Sequence, residues 1–407
     1  MNIEAHKRKN GFLSFLKYLG PGIITAALVF GPGSLTIASK LGASFQFKLL
    51  WIVIMSTFFM AIFTSMASNI GVSSDMTLIK IIKKKYGREL SYFAGIGIFL
   101  VTAAFQSGNS IGAGLAFAEL FNTPVIPWII VFSVLAISLL FYRSFYRVLE
   151  KIMIVMIGIM LISFLITLLL SAPDINTLIG GFIPEIPSGS ELLVIALIAS
   201  SFSMVGAFYQ SYLVQERGWK RHQAALCRKE GLTGIILLGM ITFMIMSAAG
   251  SVLFPKGIQV NSAAEMGRAL EPLFGNIASS VFMIGLFAAS FSSLLGNATI
   301  GGAILADTFS LGDKLNDLSS RVLIMIVILA GSAIAIVFSH LQLKLIVLAQ
   351  AITMIVSPVI GTFIFLISSD KKIMGKNNNT FWLKLFGILG LILVFTLAIA
   401  FAFKFFF

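Results

Sequence analysis

The sequence predicts an all-α polytopic membrane protein with about eleven transmembrane helices, built as two inverted halves of five spans plus one extra helix. Three observations carry this. Of 407 residues, 58% are hydrophobic and 11% charged, with a mean hydropathy of +1.00, a balance that leaves a soluble domain too little polar surface. Apolar runs of the roughly 20 residues needed to cross hydrocarbon recur along nearly the whole chain, so residues 1–407 read as a single transmembrane domain. Both halves open with a run interrupted by small and polar residues.

The first run, about 18–41, follows the basic stretch MNIEAHKRKNGFLSF and lacks a small-residue cleavage site, so it is expected to be retained as the first span. It is interrupted at Gly31-Pro32-Gly33-Ser34. Runs at 45–70, 92–120, 125–142 and 149–171 complete a first repeat, about 18–171. A loop at 172–190, rich in Pro and Gly and free of Lys and Arg, separates it from the second repeat, about 191–368. That repeat holds runs at 191–214, 232–254, 277–304, 321–339 and 343–368, and its first run is interrupted near Ser200–Gly206. The run at 383–403 lies outside both repeats. With the N-terminus cytoplasmic and the C-terminus outside, most of the 29 Lys and Arg fall on the inner face, in segments such as IIKKKYGR, FYRSFYR, ERGWKRHQAALCRK and SDKKIMGK.

The net charge of +13 therefore reads as a topology signal and not as a nucleic-acid surface. Cys227 has no partner for a disulfide, and His6, His222 and His340 form no ligand cluster. No nucleotide-binding, catalytic-triad or zinc motif stands in a suitable context, so neither an enzyme nor a cofactor is expected. The aromatic richness fits lipid contact. His340 is expected at the outer membrane edge. Glu119, Glu150, Lys151 and Asp307, near span ends, are expected as interfacial anchors or salt bridges.

An unwound helix in lipid leaves amides and carbonyls without partners, so it persists only where protein, water or a ligand completes the bonding. Pro32 removes a donor, and Gly31 and Gly33 tolerate dihedrals closed to other residues. Freed carbonyls suit cations, and half-helix N-termini suit anionic groups. One such break would read as a kink that shapes packing. Two at matched positions, the second with Gly206, favour a binding site.

Several stretches carry a resemblance to a known family: LGPGIITAALVFGPGS, FKLLWIVIMSTFFMAIFTSMASNIGVSS, IGAGLAFAELF, SYLVQER, the Gly- and Ser-rich eighth span, LAQAITMIVSP and SDKKIMG. Together they resemble the Nramp divalent-metal transporters over nearly the whole chain. The resemblance implies the LeuT-like inverted-repeat fold and a central substrate site. The family's first span carries Asp-Pro-Gly-Asn, whose Asp and Asn bind metal. Here Pro32 and Gly33 match, while Gly31 and Ser34 stand at the ligand positions. The sixth-span Met-Pro-His falls on Ser203-Met204-Val205, with a backbone-carbonyl position at Ser200, and Met204 lies one residue from the family's sulfur. Gln350 matches a span-ten glutamine. The implied substrate-binding set is thus Gly31, Ser34, Ser200, Ser203 and Gln350, with Ser34 and Gln350 the candidate metal ligands. The family's proton-relay positions fall on Gln106, Asn109, Gln210 and Arg321. Gln106 and Asn109, three residues apart on one helix face, cannot titrate but could hold a hydrogen-bonded pair.

A neutral set of oxygens without a thioether suits a hydrated Mg²⁺-like ion better than a soft transition metal. The reading is a secondary transporter for a small inorganic cation, working by alternating access without the usual proton coupling. Loss of the one carboxylate keeps two alternatives open: a neutral, zwitterionic or anionic solute, or a non-transporting receptor or scaffold. The expected setting is a lipid bilayer, the bacterial inner membrane, with the protein a monomer.

Overall fold

The computed structural model describes residues 20–142, 144–338 and 342–406. His340 and the start of the first expected span lie outside them. Every expected span has a helical counterpart. The first is a broken pair, α1 (Pro21–Val29) and α2 (Pro32–Phe45), bent by 62°. Then come α3 (Leu50–Ser73), the short α4 (Leu78–Tyr86), α5 (Arg88–Phe121), α6 (Val125–Leu140) and α7 (Phe145–Ser171). After the small α8 (Ile175–Gly180), a second broken helix runs as α9 (Glu191–Ser201) and α10 (Met204–Glu216). The rest are α11 (Ala224–Val252), the loop helix α12 (Ala263–Phe274), α13 (Asn276–Thr308), α14 (Leu318–Val337), α15 (Gln342–Ser368), α16 (Lys371–Met374) and α17 (Phe381–Phe406).

Among the described residues, nine spans are long and apolar enough to cross a membrane, and the α1–α2 pair makes ten. The one remaining expected span, 125–142, is α6, which has 16 residues and covers about 24 Å at 1.5 Å per residue, short of the roughly 30 Å hydrocarbon core. Loop helices α4 and α12 were not legible as spans because they are amphipathic. Leu78, Ile79, Ile81 and Ile82 of α4 are buried while its lysines face outward. Thr77 caps α4 and Ser262 caps α12.

Close backbone approach organises the packing. A Cβ on Gly234 of α11 would sit 1.9 Å from the Gly22 carbonyl oxygen of α1, and one on Gly42 of α2 would sit 2.3 Å from the Met246 carbonyl of α11. One on Gly296 of α13 would meet Leu28 Cβ at 2.2 Å. Small residues let helices meet backbone to backbone where lipid supplies no hydrophobic drive between them. Both halves of the first broken helix are thereby fastened to α11, and α13 lies along α5.

The conformational role expected of the two glycines is corrected. Gly31 has φ −117° and ψ −176°, extended backbone open to any residue, and Gly33 lies inside the first turn of α2. Pro32 sits at the first position of α2, where its missing N–H is no loss, and so starts a helix instead of kinking one.

Candidate functional site

The two breaks meet in the core. At the first, the Phe30 amide donates to the Ala26 carbonyl at 3.0 Å and the Leu35 amide to the Gly31 carbonyl at 3.1 Å, leaving carbonyls of 27–30 turned out of the helix. Side chains of α13 answer them. Ser292 Oγ donates to the Ala27 carbonyl at 2.9 Å, Ser293 Oγ to the Phe30 carbonyl at 2.9 Å, and Asn297 Nδ2 to the Leu28 carbonyl at 3.3 Å. Those bonds supply what unwinding removes. At the second break, Phe202 and Ser203 interrupt the helix, and Ser203 Oγ accepts from the Gly206 amide at 3.1 Å. Gly206 thus belongs to the first turn of α10, past the break itself, and a Cβ there would meet Val29 Cγ2 at 2.5 Å. It lets the end of α1 and the start of α10 touch.

Between the breaks lies a cavity of about 30 Å³, lined by Gly31, Gly33, Ser34, Ser200, Ser203, Gly206 and, from neighbouring helices, Asn109, Asn297 and Thr353. It has room for one small ion or water. Ser200 Oγ donates to the Leu197 carbonyl at 3.0 Å and Thr353 Oγ1 to the Ala349 carbonyl at 2.8 Å, so each hydroxyl spends its proton within its own helix and keeps its oxygen lone pairs. Asn109 is 2% exposed, and its Nδ2 has no hydrogen-bond partner. A Cβ on Gly31 would sit 2.9 Å from Ser293 Oγ and 3.0 Å from Asn109 Oδ1, so the Asn109 amide lies against the glycine that stands at the family's carboxylate position.

Other expected residues fall elsewhere. Gln350 is 2% exposed with neither amide atom bonded, but it lines a separate, apolar cavity of about 40 Å³ with Thr36, Lys40, Leu192 and Phe401. The structure does not bring it to Ser34, because its place on α15 sets it beside α2 and α9 outward of the central cavity. Met204 is buried beside Gly361 and does not line the cavity. Gln106 and Asn109 form no mutual bond. Gln106 Nε2 donates to the Leu294 carbonyl at 3.0 Å, which draws it toward α13. Gln210 accepts from Thr25 Oγ1 at 2.5 Å and donates to Ser68 Oγ at 3.3 Å, tying α10 to α1 and α3. Arg321, at the start of α14, donates to Asn316 Oδ1 at 3.0 Å, at a surface turn. No group of three or more His, Cys, Asp or Glu side chains comes together among the described residues.

Three positions missed from sequence matter here. Asn297 makes a packing hydrogen bond to the Leu28 carbonyl and also faces the cavity. Thr353 gave no signal in an apolar run. Glu230, 2% exposed on α11, accepts from the amides of Gly20 at 2.8 Å, Gly22 at 2.8 Å and Ile23 at 3.4 Å. A carboxylate there satisfies the free amides of α1 and opposes its dipole. Its signal was a lone acid ahead of a long apolar stretch. At span ends, Glu150 pairs with Arg217, Glu119 with Arg268 at 2.9 Å, and Asp307 accepts from Tyr212 Oη at 2.7 Å.

Comparison with known proteins gives this geometry a family. Residues 22–404 match the Nramp family, described as natural resistance-associated macrophage protein-like. A relative from Caldanaerobacter subterraneus subsp. tengcongensis, called divalent metal cation transporter MntH, is 26% identical over 404 residues, covering 95% of this chain and 94% of the relative. The protein of that name from Staphylococcus aureus is 25% identical over 411 residues, covering 94% and 90%. Among solved structures, a manganese transporter from Eremococcus coleocola, bound to an aromatic bis-isothiourea compound, superposes with a TM-score of 0.82 at 20% identity, covering 96% of this chain and 86% of that one. A Na⁺-coupled sialic acid symporter superposes with a TM-score of 0.64 at 12% identity, covering 94% and 89%. The architecture is thus the LeuT-like one, and the chain belongs to the Nramp family.

Proposed function

We propose that the protein is a secondary transporter that moves a small, hard inorganic cation, Mg²⁺-like and not a soft transition metal, by alternating access. The observation that carries this is the polar lining of the central cavity: serine hydroxyls at the broken ends of the two interrupted helices, with the Asn109 and Asn297 amides and the Thr353 hydroxyl from the continuous helices α5, α13 and α15, and no carboxylate, thiolate or thioether. Hard oxygens favour hard cations, and a neutral site does not repay full dehydration, so the ion would keep part of its water. The named substrates of the relatives, divalent metal cations and manganese, support the ion class. The exchange of acids for amides at 106 and 109 argues against their proton relay. The repeats would be 18–171 and 191–368, with 383–403 outside them. The N-terminus would be cytoplasmic, in the inner membrane of a bacterium, with the protein working as a monomer.

One observation favours a second reading. The unpartnered Asn109 Nδ2 and the free amides at the starts of α2 and α10 are donors, which would suit an anionic or zwitterionic solute. Uptake into proteoliposomes separates the two. Flux of Mg²⁺ that falls about ten-fold in Ser34→Ala, the effect of losing one ligand oxygen, supports the first. No flux or binding of Mg²⁺, Mn²⁺ or Ca²⁺ at millimolar levels would exclude it. Failure of every solute to move would then favour a receptor or scaffold.

A further inference from the structure

A hollow of about 720 Å³ opens where three membrane helices end: α3 stops at Ser73, α15 at Ser368, and the segment leading into α11 begins at Arg221. Its wall carries four cations, Lys84, Lys85, Arg221 and Lys372, against two carboxylates, Asp75 and Asp370. Both carboxylates are engaged. Asp370 takes Lys85 and the Lys372 amide, and Asp75 faces Lys220 at 3.5 Å. Arg221 donates to the backbone carbonyls of Ser73 and Ile373, each at 3.1 Å, which orients the guanidinium without cancelling its charge. Lys84 and Lys372 have no acidic partner among the described residues.

We propose that this hollow binds the phosphate headgroup of an anionic phospholipid, held by Lys84, Arg221 and Lys372. Three observations select a lipid. The site lies at the depth of the helix ends, where headgroups sit. The buried apolar face of α4 fixes its lysines at that level. Just past the loop that carries Asp370 and Lys372, Phe381 and Trp382 are 72% and 63% exposed, an aromatic pair of the kind that marks a membrane interface. Basic pockets of this kind recognise anionic headgroups through charge-assisted hydrogen bonds. The proposal does not depend on what the transporter carries.

The test uses the purified full-length protein in detergent, titrated with phosphatidylglycerol, phosphatidylcholine or glycerol 3-phosphate, with binding read by native mass spectrometry. Phosphatidylglycerol is expected to bind more tightly than phosphatidylcholine. The double variant Lys84→Gln/Lys372→Gln should weaken it roughly 30-fold, at about five-fold per basic residue, with the lipid-free melting temperature unchanged. Lys256→Gln, at the opposite end of α11, should change nothing. Equal binding of the two lipids, equal binding by wild type and double variant, or displacement by glycerol 3-phosphate at matched concentration would overturn the proposal. Should the double variant not purify, Lys372→Arg against Lys372→Gln decides: binding kept in the first and lost in the second supports the site, and equal binding refutes it.

Discussion

At the scale of single residues, the exchange of acids for amides and small side chains has separable consequences. Asn109 faces the cavity and cannot titrate, so Asn109→Asp puts one ionisable group beside Gly31. Uptake by that variant is expected to become pH dependent, by up to about ten-fold per pH unit at its steepest, while wild-type uptake stays flat; proteoliposome flux from pH 5 to 8 checks this. The surface pair of Lys85 and Asp370 behaves differently. The hydrogen bond from Lys85 holds the Asp370 carboxyl below its usual value, and the same bond raises Lys85. Asp370 therefore adds stability above the ordinary Asp value, lost as pH falls through its lowered one. Lys85 adds stability below the ordinary Lys value, lost as pH rises through its raised one. Between about pH 4 and pH 10 the tether of α16 to α4 is constant. Asp370→Asn should lower the melting temperature equally at pH 5 and pH 9, and only slightly, since the Lys85 side chain is 37% exposed.

At the scale of elements, the first break was legible because Pro and Gly interrupt an apolar run, and the second because Ser200–Gly206 gathers small polar residues in another. Where each broken end finds its partners was not legible. Glu230 reaches amides about 210 residues away in sequence, and nothing local to it announces that. Spacing put Gln106 and Asn109 on one face, yet only packing decided that one turns to α13 and the other to the cavity. Gln350 matched a motif, but its side chain lines a separate cavity between α2 and α9, which Ser34 does not reach. The Glu230 cap has a measurable effect. Glu230→Gln keeps the shape but sets an NH₂ group against donors, so the change should cost about 1–3 kcal/mol. Hydrogen exchange at Gly22, Ile23 and Ile24 should accelerate ahead of the rest of the bundle.

At the scale of the whole molecule, composition and span spacing sufficed for the fold class, since hydrocarbon thickness fixes helix length whatever the function. The loop helices and the short α6 were harder to read, because amphipathic or sub-length segments do not answer to that rule. Topology has a direct test in this chain. Its single cysteine, Cys227, is fully buried, so the natural protein is a silent background for labelling. A membrane-impermeant maleimide applied to intact cells is expected to modify Ser188→Cys and to spare Asn378→Cys until the membrane is opened. The reverse pattern would invert the proposed orientation.

The glycine contacts between the first broken helix and α11 bear on how such a machine can move. Gly234 touches the Gly22 carbonyl and Gly42 the Met246 carbonyl, so α1, α2 and α11 meet with no compressible side chain between them at two points far apart along the axis. Two rivets define a rigid strut. If access alternates, span one cannot slide along span seven without driving backbone into backbone, so both must swing as one lever. Gly234→Ala would force that joint apart, lowering stability by about 1–3 kcal/mol and slowing transport even with the central cavity intact. In this protein the gearing is set by where side chains are missing.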